Sequence, residues 1–174
     1  MPSPPRHATP EAEEIARRAA AAFRADAERD PRTTLRGGNS LDAYEQPPAY
    51  DPVLDEVTDD YVETYACYGL VYVDPDSWRH YLPRLLDHAL RNQAVRDRPG
   101  AGLAIGALLG SLRPPDRDPP RLASLTTEQE RVIVDLLDML AFGEGSDWQD
   151  EAMELLDEDY WAPIALEQRA KSRT

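Results

Sequence analysis

The sequence predicts a mainly α fold, a single-domain irregular bundle of about five helices with at most a minor short β element. Three observations carry this. Apolar residues recur at helical spacing in several separate segments; N-cap signals stand ahead of most of them; and strand-like composition is confined to Leu70–Val73. At 174 residues the chain has the length of one domain, expected to span residues 9–165 between a disordered tail over 1–8 and a frayed tail over 166–174.

In chain order, residues 1–8 hold three prolines. Thr9-Pro10 then supplies a cap followed by proline at the first helical position, with Glu11, Glu13 and Glu14 near the first turn. Ile15, Ala19, Ala22 and Phe23 continue at helical spacing, which predicts a helix over 10–29 ending before Asp30-Pro31. Gly37-Gly38-Asn39-Ser40 reads as a loop, with Ser40 capping a short turn over 41–46, and Pro47, Pro48 and Pro52 keep the next stretch extended or irregular. A second helix begins at Thr58 and runs to about Cys67, with Val62, Tyr65 and Ala66 inward. Leu70–Val73 is either a very short strand or an extended connector, and pairing with 103–109 is left open.

Asp74-Pro75 opens the central helix, predicted over 75–94. Trp78, Tyr81, Leu82, Leu85, Leu86, Ala89 and Leu90 cover about half its circumference, too wide a face for a surface helix. Pro83 is expected to kink or split it. Residues 100–112 form a small-residue apolar segment, helical or extended, and the proline-rich stretch 113–121 reads as a surface loop. Thr126 and Gln129 form a capping box ahead of Val132, Ile133, Leu136, Leu137 and Leu140; Ser146 and Gln149 repeat the pattern ahead of Trp148, Ala152, Leu155 and Leu156. Tyr160-Trp161 and Ile164 are expected to fold back on the core.

The net charge of −14 is strongly segregated. Residues 37–77 carry ten acids and no Lys or Arg, and 125–174 carry thirteen acids against four bases, whereas 78–124 carry eight Arg against four acids. Such a chain has no basic excess with which to release counterions from phosphate, so nucleic acid and anionic membrane are not expected partners; a basic protein is. No apolar run approaches the ~20 residues of a membrane span, and the N-terminus lacks the apolar core of a signal peptide. The single Cys67 forbids an internal disulfide, so a cytoplasmic, reducing compartment is expected.

Motifs for chemistry are lacking, and no catalytic, cofactor-binding or metal-binding residue is expected. A dinucleotide fingerprint starting at Gly100 would need glycine where Ile105 stands, and Gly110-Ser111 lacks the lysine of a phosphate loop. Gly102, Gly106 and Gly110 share a helix face suited to tight packing, within the chain or in a homo-oligomer. His80 and His88, two turns apart on the polar side of the central helix, cannot share a metal ion without further ligands. Cys67 is read as a small buried apolar residue with no cation nearby. The acidic face of the last predicted helix stands out instead: Asp147, Asp150, Glu151, Glu154, Asp157 and Glu158 include like charges at i,i+4, each costing a few tenths of a kcal/mol. A basic partner would relieve that repulsion, so these six residues are the expected partner-binding set.

The Ile15/Phe23 helix, Thr34-Leu35, Asp42-x-Tyr44, the segment Trp78-Arg79-His80-Tyr81-Leu82-Pro83 after Asp74-Pro75, Leu125-Thr126 with Gln129, and the closing Tyr160-Trp161 follow one another in this order. That order resembles an uncharacterised bacterial domain-of-unknown-function family of small acidic proteins with a Tyr-Leu-Pro motif on a long helix. The resemblance covers roughly residues 12–161 and implies no catalytic residues. The expected function is a non-catalytic acidic interaction module, for which an immunity-type inhibitor of a basic, nuclease-like toxin is the concrete instance. The alternatives are an enzyme with Asp42, Tyr44, His80, Arg84 and His88 converging in a cleft, or a structural homo-oligomer paired through the glycine face.

Overall fold

The structure, a computed structural model, describes residues 9–173; the expected tail over 1–8, with His7, and the terminal Thr174 lie outside the described residues. Among the described residues there are nine α-helices and no strand. The mainly α fold is as expected, but the helices are more numerous and shorter than the five read from the sequence.

α1 (Pro10–Ala22) starts as its cap dictates, the Thr9 hydroxyl accepting the Ala12 N–H. The helix breaks at Phe23, which is wholly buried, and a single turn, α2 (Arg24–Ala27), follows where one helix to residue 29 was expected. The break turns Asp26 into the protein, where Arg79 and Gln129 donate to its carboxylate.

The loop expected at 37–40 is instead the body of α3 (Leu35–Asp42), capped by Thr34, whose hydroxyl accepts the Gly37 N–H at 2.8 Å. Ser40 caps nothing; its hydroxyl donates back to the Arg36 carbonyl. These glycines serve helix packing rather than a turn, because α4 (Asp59–Gly69) lies against α3. α4 itself begins at Thr58 as expected and buries Val62 and Ala66.

Leu70–Val73 is neither strand nor extended connector but a turn, with Leu70 and Val73 in the core. The carbonyls that a strand partner would have bonded are taken by the Arg121 guanidinium. Pairing with 103–109 is likewise excluded, because those residues lie in α6 (Pro99–Ser111).

α5 (Pro75–Arg91), capped by Asp74, is the central helix: all seven of its predicted inward residues are buried, and it packs against α1, α2, α6 and α7 (Thr127–Phe142). Pro83 does not split it, since burial of Leu82, Pro83 and Leu85 offsets the missing N–H bond. α7 carries both halves of the Thr126/Gln129 capping box. The second box does not form: Trp148 occupies the cap position of α8 (Gln149–Asp157), and the Ser146 hydroxyl accepts the Trp148 N–H instead. Trp161 is fully buried and donates from its indole to the Leu112 carbonyl, and α9 (Ala162–Lys171) stays helical past the expected domain end at 165. α8 and α9 pack on α7, and the α3–α4 pair joins the bundle through the packing of α4 on α6 and through polar contacts with α5, among them Arg91–Asp59 and His88–Glu63. No helix among the described residues is long and apolar enough to cross a membrane.

Candidate functional site

The acidic α8 face is partly neutralised from within the protein. Arg96 pairs with Glu151 and donates its backbone N–H to Asp147, while Arg113 pairs with Glu154 at 2.8 Å and stands 3.9 Å from Glu158. Asp150 and Asp157 are exposed and have no cationic partner among the described residues. The expected like-charge repulsion is therefore relieved by two arginines from the 92–98 and 112–121 segments, far away in sequence.

The five residues of the alternative cleft are not brought together. Asp42 accepts from the Tyr72 hydroxyl at 3.1 Å, Tyr44 is 99% exposed, and Arg84 donates to the Val57 carbonyl. His80 Nδ1 lies 3.3 Å from the Asp26 carbonyl, and burial holds its imidazole below the ordinary value. His88 is not on the polar side of α5 but wholly buried, its Nε2 2.9 Å from Glu63 on α4 and its Nδ1 without a partner. No group of side chains among the described residues is arranged to hold a metal ion.

The structure assembles two other sites. The first is the connection from α3 to α4, residues 43–57, which one buried network pins down. Arg36 reaches the buried Asp55 through two parallel bonds, Nε to Oδ1 at 2.9 Å and Nη2 to Oδ2 at 2.7 Å, and also meets the Ala49 carbonyl. Asp55 further accepts the Tyr61 hydroxyl and the Asp51 N–H. Burial works to raise the Asp55 pKa, but Arg36, the Asp51 amide and Tyr61 together hold the carboxyl below its usual range. Burial, with help from Asp55, pushes the Tyr61 phenol up to about 12. The connection so anchored displays apolar groups to solvent: Tyr44, Val53 at 79% exposed and Leu54 at 60%. They stand in a segment whose Glu45 and Glu56 have no cationic partner among the described residues. Sequence reading caught the absence of bases over 37–77 but not the exposed tyrosine, valine and leucine. Apolar residues in an irregular, proline-bearing stretch give no periodicity from which their exposure can be read.

The second is a cavity of about 260 Å³ between α4, α6 and the 113–121 loop, lined by Cys67, Ser111, Arg113, Asp116, Arg117 and Arg121 among others. Asp116 organises the loop: it accepts the backbone N–H groups of Arg117, Arg121, Leu122 and Ala123, each at 2.8 Å. Burial opposes its ionisation, but those four donors hold the carboxyl below its usual range. Arg121 is only 3% exposed; its Nη2 donates to the carbonyls of Leu70, Val71 and Val73, and burial, aided by the like charge of Arg117, brings its pKa down to about 10. Cys67 is half-buried rather than buried in the core, and lines a cavity to which Arg113, Arg117 and Arg121 also contribute. The cations come from a loop distant in sequence, which inspection of its own helix could not reveal. The expected tight packing at the glycine face is absent within the chain for Gly106 and Gly110, around whose Cβ positions nothing lies within 4 Å; Gly102 alone is crowded, by the Arg96 carbonyl at 2.5 Å.

No curated protein and no solved structure matches this chain. A family model does, over residues 11–165, close to the span on which the resemblance was drawn. The chain belongs to that family, DUF6714, described as a family of unknown function.

Proposed function

We propose that this protein is a non-catalytic interaction module that binds a basic protein through the anchored connection between α3 and α4. The observation that supports the reading is the combination found there: Tyr44, Val53 and Leu54 exposed, on a segment without Lys or Arg, held in place by the Arg36–Asp55 pair. Aromatic and aliphatic side chains presented on an ordered backbone lose little entropy on docking, and tyrosine is among the residues that dominate interface energies. Unpaired carboxylates around them steer a basic partner and make association fast and salt-sensitive. Asp150 and Asp157 on α8 offer a weaker second acidic surface, since their neighbours Glu151 and Glu154 are already paired. An immunity-type inhibitor of a basic, nuclease-like toxin is the concrete form of the proposal.

Affinity capture from the native host's lysate, eluted in rising salt, tests it. A stoichiometric basic protein released at moderate salt supports the proposal, and nothing above the control resin contradicts it.

A further inference from the structure

We infer that the cavity between α4, α6 and the 113–121 loop binds a small oxyanion, a phosphate or carboxylate group carried by a small molecule. Elsewhere in the protein, poorly exposed arginines sit on carboxylates. Arg36 sits on Asp55, Arg79 on Asp26 and Asp76, and Arg91 on Asp59 and Asp87. Each of these poorly exposed guanidinium groups has a carboxylate, as a buried charge requires. Arg121 is more buried than Arg36 or Arg79 and has no carboxylate in ion-pair contact among the described residues, with Asp74 and Asp116 acting only at longer range.

Capping accounts for only part of its presence. Arg121 Nη2 and Arg117 Nη1 satisfy carbonyls at the end of α4, a favourable place for positive charge. The Nε and Nη1 of Arg121, and the Nε and Nη2 of Arg117, make no hydrogen bond to any described residue. Arg113 also lines the wall, with its guanidinium already paired to Glu154. The one carboxylate in the lining, Asp116, is turned to four backbone N–H groups and acts on Arg121 only at a distance, without an ion-pair contact. Two guanidinium groups lining one cavity, Arg117 with its Nε/Nη2 fork free and Arg121 with single donors at Nε and Nη1, suit an anion that accepts from both. Small-molecule pockets start at roughly 300 Å³, so a cavity of about 260 Å³ limits the ligand to a small one.

Cys67, the chain's only cysteine, lines the same cavity and serves as a built-in reporter. The rate of its alkylation by uncharged iodoacetamide is followed in inorganic phosphate, in succinate and in chloride at equal ionic strength, alongside the melting temperature in each. A bound anion blocks the cavity, so the rate falls saturably, about tenfold at ten times Kd, and the melting temperature rises relative to chloride. Whichever of phosphate or succinate does this identifies the head group. Arg117→Gln, which leaves the backbone bonds to Asp116 intact, abolishes both effects without lowering the melting temperature in chloride by more than a few degrees. If neither anion slows alkylation or raises the melting temperature beyond chloride, the inference is overturned; if the thiol reacts too slowly to follow, the melting temperatures alone decide.

Discussion

Gly38 and Gly69 face one another backbone to backbone where α3 crosses α4: a Cβ on Gly38 would stand 2.3 Å from the Gly69 carbonyl oxygen, and one on Gly69 would stand 2.1 Å from that of Leu35. No side chain can yield there, because the obstructing atoms are main chain. Gly38→Ala or Gly69→Ala is expected to force the helices apart, at about 2–3 kcal/mol in urea unfolding.

The opposite outcome is expected on α6. A methyl at Gly106 or Gly110 meets nothing, so each change to Ala leaves stability equal or raises it by up to about 1 kcal/mol through helix propensity. Light scattering on the same variants tests the homo-oligomer alternative: a dimer held by close approach of that face would dissociate, whereas a monomer stays unchanged.

Asp55→Asn should cost about 2–3 kcal/mol, because Arg36, Tyr61 and the Asp51 amide all lose a charged acceptor. Since the folded-state pKa of Asp55 lies below the ordinary value, its contribution is complete above the unfolded-state pKa and vanishes as pH falls through the folded one. Acid unfolding of the variant, followed by circular dichroism, is therefore expected to show a shallower dependence below about pH 4 than the wild type.

His80 makes the protein sensitive to a different window. Burial depresses its pKa, so folding favours the neutral ring; the stabilisation is present above the unfolded value near 6.5 and declines as pH drops below it. His80→Gln should flatten the dependence of the melting temperature between pH 7 and 5, with little change at pH 8.

Asp26 holds three donors, from Arg29, Arg79 and Gln129. Asp26→Ala takes one of two carboxylates from the largely buried Arg79, which keeps Asp76 and Ser124, and one acceptor from Gln129, and a loss of about 2–3 kcal/mol is expected on denaturant unfolding.

Much of the fold was legible where periodicity and caps agreed. The inward face of α5, the Thr58, Asp74 and Thr126 caps and the return of Trp161 to the core all follow from local pattern. What escaped depends on contacts distant in sequence. Gly37-Gly38 looks like a turn until Gly69 lies against it, and His88 looks solvent-facing until Glu63 arrives from α4. Ser146 has the right spacing for a capping box, but Trp148 is buried and takes the cap position. At the functional level the lack of bases over 37–77 was plain, whereas the pairing of Arg96 and Arg113 with the α8 acids and the cavity that Cys67, Arg117 and Arg121 line together needed the tertiary structure.

The most direct test of the interaction proposal is a three-way capture from host lysate with wild type, a Tyr44→Ala/Val53→Ser/Leu54→Ser variant, and an Asp150→Asn/Glu154→Gln/Asp157→Asn variant, all of equal melting temperature. The wild type should retain one basic protein at equal stoichiometry, the 44/53/54 variant should lose it, and the α8 variant should hold it with at most a modest loss. Equal retention of that protein by wild type and the 44/53/54 variant would contradict the assignment of the interface to the connection between α3 and α4.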